Sequence, residues 1–319
     1  MMDCTDRHER YFLRLLSKNV MLYTEMVVTK SAIHGDRKKI LGFNNVEKPL
    51  ALQVGGSDEN ELSEVCKIAE DMGYDEVNIN LGCPSKKVQK NKFGACLIKE
   101  PELVAECINK MILSCKIPVT AKTRIGVDDT ESYDHLNSFV NKILESGCKT
   151  IILHARRAIL KGLTPKENLK IPKLNYPLVY EIKKANKNLE IIINGGITNS
   201  KQINEHLKNC DGVMIGRAIY QNPYFLAEIE NKIFNNKSVP SRTEVAEKLV
   251  EYVQEEVKKG TRVNQIMRHT VGLYHGQNGA NKWKRYLSDN MMARDSDFQK
   301  VKHIMTIAQN NEKANQVTS

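Results

Sequence analysis

In this 319-residue chain, the residues best suited to chemistry stand where an apolar run breaks. Cys83 lies between Gly82 and Pro84, directly after the alternating stretch Val77, Ile79, Leu81. A thiol just past a strand end has a fixed position and an open approach, and α/β enzymes keep their chemistry at such places. It could act as a nucleophile or as a general acid. A nucleophile wants a nearby histidine base, and none is adjacent in sequence. The other reading is a buried, inert cysteine, the usual fate of this residue type. That reading suits Cys66, Cys107, Cys115, Cys148 and Cys210, while Cys96 in FGACLI is ambiguous.

Lys122 sits inside an apolar strand pattern and must face a polar partner or water, or else snorkel from a strand end. His154 closes the run TIILH in the same way, and Arg124, Arg156 and Arg157 add positive charge at the rim of the sheet. Asn194-Gly195-Gly196 and Gly216-Arg217 are glycine breaks after successive strands. Consecutive N–H groups there could form an anion nest for a phosphate-bearing cofactor, or the breaks could be ordinary turns. Neither matches the GxGxxG dinucleotide fingerprint. Gln53 and Asn80 are polar side chains within apolar strands, and they need either a ligand or a neighbouring side chain as partner.

The elements that would carry these residues alternate. A helix is predicted over 6–18, a strand over 20–27, a strand over 50–57 and a helix over 58–72 stopped by Gly73. Helices over 101–113, 132–145, 177–187 and 200–208 alternate with strands over 119–126, 150–155, 190–196 and 212–216. Such repeats mean parallel strands with helical crossovers, and the strands read as apolar on both faces. Seven strand positions emerge, near 22, 52, 79, 121, 152, 192 and 214. A TIM-type (β/α)8 barrel needs eight, so the expectation is such a barrel with its first strand missing, either absent or encoded upstream. A doubly wound sheet would need a reversal of strand order that the sequence does not signal. From 241 onward only helical patterns remain. The expected division is therefore a barrel over 1–240 and a small all-helical domain over 241–319.

The formal net charge of +10 suits a polyanionic partner such as nucleic acid, and equally a lysine-rich soluble enzyme. The eight cysteines show no disulfide framework, CxxC pair or metal-ligand cluster. No apolar run reaches membrane-spanning length, and Asp3, Asp6 and Glu9 argue against a transit peptide. The expectation is a cytoplasmic protein without metal or membrane partner.

Taken together, MMDCTDRHERYFLRLL, LYTEMVVTKSAIHGDR, GYDEVNINLGCPS, FGACLI, VTAKTRIG, HARRAILKGLTPKEN, DGVMIGRAIYQNPY and RHTVGLYHGQNGANKW resemble the tRNA-dihydrouridine synthases, most closely their A-type. The resemblance implies an FMN-binding barrel with a helical tRNA-binding domain. It implies reduction of tRNA uridines to 5,6-dihydrouridine by NADPH through FMN, at D-loop positions 20 and 20a. By it, Cys83 is the general acid that protonates C5 of a flipped uracil, opposite the face that receives hydride at C6. Asn80 holds the uridine. Met1, Met2, Gln53, Lys122, His154, Asn194, Gly195, Gly196, Gly216 and Arg217 contact FMN. Lys166, Lys282, Lys284 and Arg285 face tRNA, and the enzyme acts as a monomer. Three departures stand out. The family's initial strand and its Ala-Pro are missing, which resembles an N-terminal truncation. Cys4 replaces a tryptophan, and Asn281 replaces an arginine. A tRNA-binding barrel with impaired catalysis is the alternative if that strand is truly lost. A small-molecule FMN oxidoreductase is a further rival.

Overall fold

A computed structural model describes residues 1–291 and 298–316. The chain divides into two compact units: Met1–Met2, Met21–Phe43 and Lys48–Ile215 form the first, and Asp3–Val20, Asn44–Glu47 and Gly216–Ser319 the second. The change of sequence pattern at 241 thus falls inside the second unit, where Ser241 starts helix Arg242–Lys258 with a capping box completed by Glu244.

The first unit is built on one parallel sheet. Its strands are β1 (Leu22–Tyr23), β2 (Val27–Val28), β3 (Leu50–Gly55), β4 (Glu76–Leu81), β5 (Val119–Arg124), β6 (Thr150–His154), β7 (Glu190–Asn194) and β8 (Gly212–Met214). They pair in chain order, and β1 and β2 both lie along β3, against Leu50–Ala51 and Val54–Gly55. The single strand expected over 20–27 is therefore one edge position interrupted in the middle. The sheet is open from that edge to β8. This is the incomplete (β/α)8 arrangement expected from the sequence, with a helical region after it.

The expectation of strands apolar on both faces holds along most of β6 and β7, where Ile151 and Ile191 lie on one side and Ile152 and Ile192 on the other, but not for β4 and β5. Register puts Gln53, Asn78 and Thr120 side by side, then Asn80 and Lys122, then Arg124, His154 and Asn194, all on one face. The other face carries Leu52, Val54, Val77, Ile79, Leu81, Ala121, Ile151, Leu153, Ile191 and Ile193, all buried. The alternation of NIN within EVNINL is thus the strict period of two of a strand with unlike faces. Helices Glu59–Asp71, Pro101–Ser114, Tyr133–Glu145 and Tyr176–Ala185 follow their strands and pack on one another in sequence. Asp58 and Ser132 cap the first and third of these through backbone N–H groups.

The described part of the second unit is helical. Phe12, Leu16, Val245, Leu249, Val253, Met267, Trp283 and Leu287 are buried in it. Asp6 caps helix Arg7–Leu16 by accepting from His8 N and Glu9 N.

Candidate active site

The first unit brings most of the chemically interesting residues to the C-terminal ends of consecutive strands. Cys83 is half-buried in the turn after β4, and its backbone is held from both sides. Asn80 Oδ1 accepts from Gly82 N at 3.1 Å and Cys83 N at 3.0 Å. Cys83 O accepts from Ala95 N at 3.0 Å. A Cβ on Gly94, whose φ is +76°, would lie 2.7 Å from Cys83 O, so only glycine lets the FGACLI segment close on this turn. Arg124 completes the clamp. Its Nε donates to Gly82 O at 2.9 Å, and its Nη1 donates to the carbonyls of Arg157 and Asn168 at 3.2 Å each. One buried guanidinium therefore ties together the loops after β4 and β6. Burial, eased by Cys83 and aggravated by Arg156, lowers its pKa to about 10.

Lys122 lies on β5 opposite Asn80. Its Nζ donates to Asn194 Oδ1 at 3.2 Å, and Asn194 Nδ2 donates to Met214 O at 2.7 Å. Burial first, then the charge of Arg124, lowers the Lys122 pKa to about 8. Among the described residues no carboxylate pairs with this ammonium, which suits an anionic or electron-rich ligand.

His154 is buried against the glycine break after β7. A Cβ on Gly195 would lie 2.7 Å from His154 Cδ2, and one on Gly196 would lie 2.6 Å from Leu174 Cδ1. Both glycines have left-handed φ, +120° and +73°, and Tyr176 OH donates to Gly195 O at 2.6 Å. Glycine is required at both positions because His154 and Leu174 already stand where a Cβ would lie, and a bare left-handed backbone of this kind is the geometry of an anion nest.

Other expectations are placed differently. Arg156 is tied to the carbonyls of Lys170 and Pro172, and Arg157 lies 3.7 Å from Glu131, so much of the expected rim charge is spent within the loops. Met1 and Met2 are exposed at the chain start of the first unit. Gly216 and Arg217 begin the last segment of the second unit, at helix Arg217–Gln221, and Gly216 has a φ of −114°, outside the left-handed region. Lys166 is exposed in the loop after β6. Lys282, Lys284 and Arg285 are exposed on helix Ala280–Met291. That helix is anchored by buried Trp283, whose Nε1 donates to Thr270 O at 2.9 Å. Arg285 lies 3.7 Å from Asp289, so its charge is partly answered within its own helix.

The dihydrouridine synthase family model matches residues 1–311. The chain belongs to the dihydrouridine synthase family. It is 49% identical over 293 residues to the tRNA-dihydrouridine(20/20a) synthase of Synechocystis sp., covering 92% of this chain and 88% of that protein. The protein of the same name from Shewanella oneidensis is 50% identical over 303 residues, covering 95% and 90%. That of Escherichia coli strain K12 is 46% identical over 309 residues, covering 96% and 89%. Among solved structures, histamine dehydrogenase from Rhizobium sp. 4-9 is similar in fold alone. Its TM-score is 0.51 at 11% identity, over 71% of this chain and 44% of that one.

Several residues of this candidate site in a dihydrouridine synthase family member escaped the sequence reading. Arg124 was visible as rim charge but not as a clamp, because its carbonyl partners lie 33 to 44 residues away. Asn78, Thr120 and Glu76 support Gln53 and Asn80 from within the sheet. The only signal for them was the spacing of Glu76, Asn78 and Asn80, two residues apart on one strand face. Among the described residues, no group of three or more His, Cys, Asp or Glu could hold a metal ion, and no helix is long and apolar enough to cross a membrane.

Proposed function

We propose that this chain is a tRNA-dihydrouridine(20/20a) synthase of the A-type, using FMN and NADPH to reduce D-loop uridines. The observation that carries this reading is the meeting, at adjacent strand ends, of a pinned cysteine turn and a lysine bonded to Asn194 and to no carboxylate among the described residues, with a glycine loop on the same sheet.

FMN, when bound, supplies hydride to the uracil ring. Gly195 and Gly196 would take its phosphate, and Lys122, Gln53 and His154 would face its ring system, with Asn194 orienting Lys122. Met1, Met2, Gly216 and Arg217 are further cofactor contacts in this reading. Lys122 brings positive charge to electron density in a partly dry site, where a charge counts for more than in water. Cys83 holds the proton destined for C5 of the uracil. Its turn is fixed through its N–H and its carbonyl, so the thiol can deliver that proton without the backbone reorganising. Asn80 has one amide hydrogen left for the uridine after its bonds to the turn and to Gln53.

The uridine must leave its stack to reach these groups, while Lys166, Lys282, Lys284 and Arg285 hold backbone phosphates. All eight cysteines are free, in keeping with a reducing cytoplasm, and a monomer suffices for one tRNA. The test is dihydrouridine formation on unmodified tRNA with FMN and NADPH, read by nucleoside mass spectrometry. Cys83→Ala is expected to keep flavin and to lose about 10²-fold or more in turnover. Equal turnover in both proteins would remove Cys83 from the role of acid. A wild-type protein that binds no flavin would overturn the reading as a whole.

A further inference from the structure

A chain of hydrogen bonds runs along the polar face of the sheet and ends at the Cys83 turn. Its direction is forced at both ends. At the top, Gly82 N and Cys83 N can only donate, so the atom facing them is Asn80 Oδ1. Asn80 therefore turns its Nδ2 to Gln53 Oε1, at 2.9 Å. Gln53 must then turn its Nε2 to Asn78 Oδ1, at 2.9 Å, and Asn78 its Nδ2 to Thr120 Oγ1, at 2.8 Å. The Thr120 hydroxyl spends its one hydrogen on Glu76 Oε1, at 2.6 Å, where Tyr23 OH also donates, at 2.9 Å. A carboxylate is an acceptor, so it terminates the run. Reversing any amide would set donor against donor at the turn or at the next link.

The members span three strands. Glu76, Asn78 and Asn80 lie on β4, Gln53 on β3 and Thr120 on β5. Asn78 is fully buried and Thr120 and Glu76 nearly so, which places them out of reach of any ligand. After these bonds Asn80 Oδ1 is saturated. What Asn80 and Gln53 each have left includes one N–H, and Lys122 beside them has only N–H groups.

We propose that Glu76, Thr120 and Asn78 are positioning residues whose hydrogen-bond run fixes the polarity of Gln53 and Asn80, so that this end of the site pins the Cys83 turn and offers N–H donors to an acceptor-rich ring. Ring carbonyl oxygens and unprotonated ring nitrogens are the groups it takes. A ring presenting only N–H groups would meet donors. The identity of the ring rests on the function proposed above, whereas the pinning of Cys83 does not.

The experiment uses the full chain with Thr120→Val, Glu76→Gln, Asn78→Asp and Asn78→Leu. The first readout is the alkylation rate of Cys83 by iodoacetamide in flavin-free protein, followed by peptide mass spectrometry, with Cys115 as internal reference. The second is kcat and KM for tRNA in the FMN-loaded enzyme. Thr120→Val is nearly isosteric and removes one link. Glu76→Gln keeps one oxygen to accept from Thr120 and Tyr23, which both donate to Oε1, and so serves as the conservative variant. Thr120→Val is expected to change the Cys83 rate several-fold with the Cys115 rate unchanged, and to lower kcat about tenfold, with KM within about twofold, whereas Glu76→Gln is expected to stay within about twofold of the wild type in all three. Asn78→Asp keeps the acceptor for Gln53 and loses the donor to Thr120, so a smaller effect of the same sign is expected. If Asn78→Leu does not fold, the Thr120→Val result decides. Lowered stability with unchanged Cys83 alkylation and unchanged kcat would overturn the proposal, because it would mean a merely structural role. Altered Cys83 alkylation in a protein that makes no dihydrouridine would leave the positioning standing and remove the function instead.

Discussion

Both units bury polar groups, but they settle them differently. In the second unit several charged groups close on one another, although Glu9 Oε2, buried 3.4 Å from His269 Nδ1, makes no hydrogen bond among the described residues. Asp6 takes two helix N–H groups, Arg268 at 2.7 Å and His269 Nε2 at 3.1 Å. Although burial opposes it, these bonds hold the Asp6 carboxyl well below the usual range. Arg10 meets Glu47 at 2.7 Å, and Glu230 accepts from Ser17 and from both nitrogens of Asn19. In the first unit, the polar groups are aligned but not exhausted. Gln53, Asn80 and Lys122 are oriented by neighbours and still have N–H groups to give. The second arrangement fastens helices. The first keeps a surface prepared for a ligand, and an ammonium without a carboxylate is what such a surface costs in stability.

This contrast is most sharply broken at Lys122. Its pKa of about 8 lies below the ordinary 10.5, so its charged form is disfavoured in the folded state. Stability then rises as pH goes from about 8 to 10.5, because the unfolded chain still binds the proton that the folded one has released. Lys122→Met is expected to stabilise the flavin-free protein by about 1–3 kcal/mol at pH 7 in urea unfolding, and to abolish that rise. Turnover should fall by about 10²-fold or more. Loss of stability instead would mean that Lys122 holds the fold rather than the ligand.

Gly195→Ala combines a φ of +120° with a contact of 2.7 Å to His154. A cost of about 2–4 kcal/mol is expected, together with poor flavin retention by absorbance. An alanine variant that is as stable and as yellow as the wild type would show that the loop relaxes freely.

The second unit should respond to acid. Burial lowers the pKa of His8, which is 2.8 Å from Tyr252 OH, to about 4. Below about 6.5 the unfolded chain takes up a proton that folded His8 refuses. Stability is therefore present above 6.5 and lost as pH falls toward 4, by about 3 kcal/mol in all. His8→Gln should flatten this part of the curve of unfolding free energy against pH while leaving turnover per folded molecule unchanged. The smallest effects belong to the exposed lysines. Single changes of Lys166, Lys282 or Lys284 to Gln should weaken tRNA binding a few-fold and reduce the salt slope by about 1 each. An unchanged slope would take that residue out of the interface.

The sequence by itself determined the order of strands and helices, because hydrophobic period, caps and glycine stops act over a few residues. Asp58, Gly73 and Ser132 mark their boundaries within a residue or two of where the elements end. It also singled out the glycine-flanked Cys83 and the lysine that no apolar strand should contain. The tertiary structure alone decided which face of each strand is polar, since that depends on register between strands some 25 to 42 residues apart. It decided that Arg124 clamps loops rather than lining a rim. It also decided that residues 3–20 belong with the helices after 215 and not with the sheet. Periodicity is local and can be read along the chain. The direction of a hydrogen bond between side chains on different strands has no local trace, and it is fixed only when backbone N–H groups at one end and a carboxylate at the other are brought to the same face.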